Sequence, residues 1–259
     1  MRALLCAIKT GGLVFLGTAT LTGTLAAQSA QAVDVLTNAV QIRSLTTAEA
    51  ALAVPVHLRG VMISEAAPLP APTGGQDRLH SALVILDSTA AIYMVGTTNL
   101  FSGFREGDLL EVDGVTDPGQ FAPFVQAKAA RCLGTVPIPA PLAVSYQKLI
   151  TGGLDAQWVE ISGVVRSWEP VTSPEMFGSW LMVLAVDGNK VTITACGPRP
   201  PQVQPDAELR IRCVCFYQFN QQRQVLNPAL VMPREAPIVI KRLAPTDPFS
   251  TPVRPVASI

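Results

Sequence analysis

Apolar and polar side chains alternate through two stretches of this chain, 56–64 (VHLRGVMIS) and 158–168 (WVEISGVVRSW). A period of two puts successive side chains on opposite faces, so each stretch predicts a strand with one buried face. Both carry a Gly-Val pair at the same place, Gly60 and Gly163, 103 residues apart. A glycine there predicts a bend or a close approach of backbone, as at a barrel corner.

The same order of elements recurs around the two strands. In the first copy, residues 33–45 read as a partly extended lead-in, and a short helix at 46–52 has Thr46 as its cap. Strand 55–64 is followed by a Pro/Gly-rich loop at 65–80, a hairpin of strands 81–87 and 90–95, a connector at 97–106, and strands 109–115 and 124–133 around a turn-rich loop. In the second copy a helix at 144–150, with Ser145 as cap, precedes strand 158–168. Strands 179–186 and 190–196 then pair across Asp187-Gly188-Asn189, a strong hairpin signal. Strand 207–215, a loop, a strand near 223–232 and an edge strand at 237–243 complete it. One correspondence fails, because Gly114 aligns with Cys213.

Five short strands per unit, a connector after the third and no long amphipathic helix predict an all-β chain. The expected fold is two tandem OB-fold-like five-stranded β-barrels, each preceded by a short helix. The alternative, a β-sandwich, wants about seven strands per unit. The expected organisation is a signal peptide at 1–32, a first barrel at 33–136, a Pro-rich linker at 137–143, a second barrel at 144–243 and a Pro-rich tail at 244–259.

The N-terminus sets the expected compartment. Arg2 and Lys9 precede an apolar run at 11–25, and Ala30-Gln31-Ala32 reads as a cleavage site. The run is short and rich in Thr and Gly for a permanent span, although an uncleaved anchor is the alternative. A periplasmic or secreted protein is the expectation. Removing this leader leaves 17 basic and 19 acidic residues, scattered rather than clustered. That balance, together with export, speaks against nucleic acid as a partner.

An oxidising compartment permits disulfides. Cys213 and Cys215 lie two apart on one strand and cannot bridge each other there. They are either buried as small apolar side chains or joined, one of them, to Cys196. A metal site has little support, with no C-x-x-C and only His57 and His80 as histidines.

In an OB-fold, ligands meet the face of strands two and three, flanked by the 1–2 and 4–5 loops. Trp168, Phe177 and Trp180 border the 1–2 loop of the second copy, and its 4–5 loop carries Phe219, Asn220 and Arg223. The first copy offers Phe121 and Phe124 in its 4–5 loop and Tyr93 on strand three. Such aromatics stack bases or sugar rings, and an arginine holds a phosphate or carboxylate. The competing reading is that these aromatics plug barrel ends. Phe219, Asn220 and Arg223 are favoured as ligand contacts, because a polar run beside a loop phenylalanine is not needed for a core. No nucleophile elbow, HExxH or phosphate loop occurs in the sequence, so no catalytic residue, metal or cofactor is assigned.

The runs VLTNAVQIRSLTTAEA, PVHLRGV, DLLEVDGVTDPGQFAPFV, GLDAQWVEISGVVRS, FNQQRQ and DPFSTPVRP resemble the extracytoplasmic sensor region of large bacterial sensor histidine kinases and related signalling proteins. The resemblance covers residues 34–255 and implies OB-like barrels and extracytoplasmic sensing, with no catalytic residues and no established ligand. This sequence departs at Cys213, where a glycine is expected, and stops at Ile259 without a kinase part. The functional expectation is an exported, non-enzymatic sensory module that binds a small ligand or an envelope protein. Its alternatives are an oligonucleotide- or glycan-binding OB-fold protein and a structural spacer.

Overall fold

The computed structural model describes residues 34–66, 80–171, 179–196, 199–234 and 236–247. The expected signal peptide and Phe177 lie outside the described residues. The chain opens with two short helices, α1 (Ala39–Arg43) and α2 (Thr47–Ala50). Helix α1 occupies part of the lead-in read as extended. A capping box explains it: Asn38 accepts from the Gln41 N–H while the Gln41 side chain accepts from the Asn38 N–H. The same reciprocal bonding between Thr46 and Glu49 starts α2.

The first barrel comprises β1 (Pro55–Ala66), β2 (His80–Leu86), β3 (Ala91–Thr97), β4 (Asp108–Asp117) and β5 (Phe124–Thr135). They close in the order β1-β2-β3-β5-β4. Beyond it lie β6 (Leu142–Ala143), α3 (Tyr146–Leu149), β7 (Gln157–Pro170), β8 (Ser179–Val186), β9 (Asn189–Cys196), β10 (Glu208–Phe219), β11 (Val225–Met232) and β12 (Val239–Arg242). Strands β7-β8-β9-β11-β10 close through a β10–β7 pairing, with β6 and β12 added outside the ring. In both rings the third and fifth strands run parallel, and the other neighbours within each ring are antiparallel. This is the OB-fold order, twice. The linker read at 137–143 contributes β6, which pairs in parallel with β7.

The paired glycines do what the alternation required. A Cβ on Gly60 would stand 2.9 Å from the Leu86 carbonyl oxygen, and one on Gly163 2.7 Å from that of Ala185. Strands β1 and β7 pass close to β2 and β8 there, and each carries a bulge just beyond, between Met62 and Ser64 and between Val165 and Ser167. The two barrels are therefore superposable in register: Gly60 matches Gly163, and Leu83 matches Met182 as the inward partner of the strand before it.

Each barrel has its own core. Ile42, Leu58, Met62, Leu83, Ile85, Met94 and Leu110 are buried in the first. Val159, Ile161, Met182, Leu184, Ile193, Leu209 and Ile211 are buried in the second. A third cluster joins them, from Ile63, Ala82, Val84, Ala91 and Tyr93 of the first barrel to Ala156, Trp158 and Val214 of the second. Cys213 and Cys215 are unbridged and buried in the second core. The reading as small apolar side chains stands, and a bridge from either to Cys196 is absent. Burial pushes the Cys213 thiol up and the Cys215 thiol up to about 12, which keeps both protonated and inert.

Candidate ligand-binding face

The aromatics picked out as ligand contacts divide into three groups. Tyr93 on β3 meets Phe124 edge-on at 5.8 Å and Phe216 of β10 at 6.0 Å. It is buried in the cluster between the barrels. Phe121, from the 4–5 loop of the first barrel, stacks on Phe219 at 5.4 Å and lies 5.8 Å from Tyr217. It thereby joins the core of the second barrel from outside. Trp168 and Trp180 face each other edge-on at 6.5 Å in the mouth of the second barrel.

Arg223 has positive φ in the turn that links β10 to β11. Its guanidinium donates to Thr47 Oγ1 at 3.0 Å, to the Pro118 carbonyl at 3.4 Å and to the Phe121 carbonyl at 3.0 Å. The arginine read as an anion ligand thus ties the second barrel to a loop and a helix of the first. Asn220 shapes its own turn, accepting from the N–H groups of Gln222 and Gln224 and donating to the Gln224 side chain. Arg43, from α1, adds a further tie by donating to the Asp155 carbonyl at 2.7 Å. Burial raises the Asp155 carboxyl to about 6, against the pull of Arg43, and burial also lowers Arg43. The Trp158 indole N–H donates to the Pro139 carbonyl at 3.0 Å.

The apolar cluster between the barrels buries the face of strands two and three in the first barrel, with Ala82, Val84, Ala91 and Tyr93 against Ala156, Trp158 and Val214, and this is where an OB-fold ordinarily takes its ligand. The matching face of the second barrel is open. Register equivalence makes the comparison direct. Ala82, Val84 and Leu86 of β2 correspond to Leu181, Val183 and Ala185 of β8. Ala91, Tyr93 and Val95 of β3 correspond to Lys190, Thr192 and Thr194 of β9. Ile63 of β1 corresponds to Arg166 of β7. So the second barrel keeps the apolar strip along β8, with Leu181 40% exposed, but flanks it with a cation on each side and two threonine hydroxyls. Arg166 donates to Asp206 at 2.6 Å, and Lys190 and Thr192 are exposed. None of these residues stood out in the sequence, because each is ordinary alone. Aligning the two copies strand by strand is the signal that finds them.

Charge on the β1–β4–β5 side is internally matched. Glu111 is buried between Arg59, 2.6 Å away, and Arg131. These bonds hold its carboxyl below the usual range, the Arg59 hydrogen bond first. His57, read as exposed, places Nδ1 2.7 Å from Asp113. At the positions equivalent to His57 and Asp113, Glu160 and Arg212 of the second barrel form an ion pair at 3.2 Å. Among the described residues, no group of His, Cys, Asp and Glu is arranged to hold a metal ion. No described helix is long and apolar enough to cross a membrane.

No family model matches the chain, and no curated protein matches it. Among solved structures it is similar to a replication protein A heterotrimer bound to ssDNA, at 14% identity and a TM-score of 0.36, over 74% of this chain and 49% of that one. It therefore spans about half the length of the replication protein A chain. It is also similar to the Ifi202 HINa domain in complex with 20bp dsDNA, at 8% identity and a TM-score of 0.32, over 72% of this chain and 96% of that one. A third is the hypothetical protein ygiW from E. coli, at 19% identity and a TM-score of 0.28, over 39% of this chain and 90% of that one. One expectation is corrected here. Net charge and expected export do not exclude nucleic acid as a partner, and complexes with DNA stand among the similar structures.

Proposed function

We propose that this protein is a non-catalytic binding module that takes a single-stranded oligonucleotide across the outer face of β7, β8 and β9. The observation that carries the reading is the contrast between the two copies of one face. In the first barrel it is apolar, aromatic and buried against the second. In the second it is open, and its counterparts of Ile63 and Ala91 are Arg166 and Lys190. A strip of Leu181, Val183 and Ala185 between two cations suits a ligand with flat apolar surfaces and regularly spaced anions. Among the described residues the face has no aromatic, so bases would lie on aliphatic side chains and contact would rest on phosphates and hydroxyls. Affinity should accordingly be modest and salt-dependent.

The test is fluorescence anisotropy with labelled oligothymidylate over a range of salt. Each phosphate contact to a single strand contributes about 0.7 to the slope of log affinity against log salt. Lys190→Ala should lower that slope by about 0.7 and leave the thermal transition in place. Absence of saturable binding, or a slope untouched by Lys190→Ala, overturns the reading. Salt-insensitive binding of a neutral glycan instead would redirect it to sugars.

A further inference from the structure

The two barrels differ at a second equivalent place, their mouths. In the second barrel the end of the β7–β8 pair carries the indoles of Trp168, which is buried in the core, and Trp180, which packs against it. Register equivalence puts Glu65 and Ser81 at those positions in the first barrel: Glu65 opposes Leu83 as Trp168 opposes Met182, and Ser81 precedes Leu83 by two as Trp180 precedes Met182. Two large rings are thus replaced by a carboxylate and a hydroxyl. The first barrel has a pocket there of about 390 Å3, whose lining includes Met62, Glu65, Ser81, Leu83, Phe101 and Ser102.

Its chemistry is divided. Met62, Leu83 and Phe101 belong to the buried core and form an apolar floor. Glu65 is exposed at the rim, where Ser81 and Ser102 add hydroxyls. The Ser81 hydroxyl donates to the Thr97 carbonyl at 2.9 Å, which leaves its oxygen lone pairs as acceptors. The volume is that of a small-molecule site, and barrel mouths are a usual place for one. The rim presents acceptors and one negative charge above an apolar floor, the complement of an ammonium group on an aromatic or aliphatic body.

We propose that the mouth of the first barrel is a binding site for a small organic ammonium compound, its apolar body seated on Met62, Leu83 and Phe101 and its ammonium group held by Glu65. The site is lined by residues of the first barrel, none of them on β7, β8 or β9, and does not depend on what that face binds. The size of the group at the equivalent position of the second barrel makes tryptamine the appropriate probe.

Isothermal titration calorimetry with tryptamine should show saturable one-to-one binding. Indole-3-propionate, which carries the same ring with a negative charge, should bind at least about tenfold more weakly, a difference of roughly 1.4 kcal/mol. Glu65→Gln, at an exposed rim position, should weaken tryptamine by about tenfold with an unchanged thermal transition. Ser81→Trp, which copies the sister mouth, should abolish binding. No saturation by tryptamine, equal binding of indole-3-propionate, or unchanged affinity in Glu65→Gln overturns the proposal. If Ser81→Trp does not fold, Glu65→Gln and the ligand pair still decide it.

Discussion

Gly60 and Gly163 sit where the next strand's backbone passes closest, and that closeness sets what each position tolerates. A methyl group on Gly163 would lie 2.7 Å from the Ala185 oxygen and 2.9 Å from Val186. Backbone cannot yield as a flexible side chain can, so Gly163→Ala should destabilise by about 1–3 kcal/mol, read as a lower denaturant midpoint with an unchanged slope. This constraint was legible in the sequence, because a glycine breaking an otherwise regular alternation has few other reasons to be there. The charge partners were not legible. Glu111 reads as one more polar-phase residue, yet it is buried between Arg59 and Arg131. Its carboxyl is held below the usual range by the Arg59 hydrogen bond and, with desolvation opposing, by Arg131. A lowered folded-state value means that its contribution is present above the ordinary glutamate range and is lost as pH falls through the folded value. Glu111→Gln should therefore be less stable than the parent at pH 7, and the gap should close in acid. A midpoint difference that does not depend on pH would contradict this.

The same loops can serve a ligand or a neighbouring barrel, and at the level of elements residue type does not separate the two. Strand order, hairpins and caps follow from local periodicity and turn chemistry, so they were recovered within a few residues. The 4–5 loops carry Phe121, Phe219 and Arg223, the residue types that also make a ligand platform. Composition cannot say whether a loop aromatic meets a ligand or another domain. In the structure Phe121 stacks on Phe219 while Arg223 donates to the carbonyls of Pro118 and of Phe121 itself. The loop after β4 is thus held by a side chain more than a hundred residues away. Phe121→Ala should cost roughly 2 kcal/mol, less than the 3–5 of a fully buried phenylalanine. Arg223→Ala should raise amide exchange across residues 117–123 while β7–β9 keep their protection. Unchanged exchange in that loop would show that the guanidinium contacts do not hold it.

At the scale of the molecule, the described residues of the two barrels belong to one compact unit rather than to two beads on a linker. The apolar cluster around Tyr93 and Trp158 and the ties of Arg43 and Arg223 make the seam between the barrels part of the fold. Asp155 lies in that seam, with Arg43 of α1 and Tyr217 and Cys215 of β10 around it. Burial raises its carboxyl from 3.8 to about 6. The folded protein then holds a proton that the unfolded chain releases between those values. Stability from this group is therefore greatest below pH 4, declines as pH rises toward 6 and stays low above it. The shift corresponds to at most about 3 kcal/mol, and Arg43 opposes it. Other carboxylates, Glu111 among them, work in the opposite direction on acidification, so the parent's own pH curve does not isolate Asp155. The difference between Asp155→Asn and the parent does, because asparagine has no proton to lose. That difference should move in favour of the variant between pH 4 and pH 7 and level off beyond, measured as urea midpoints at matched salt. A flat difference across this range would mean that the Asp155 carboxyl titrates at its ordinary value, and that the seam leaves it more accessible to water than its burial implies.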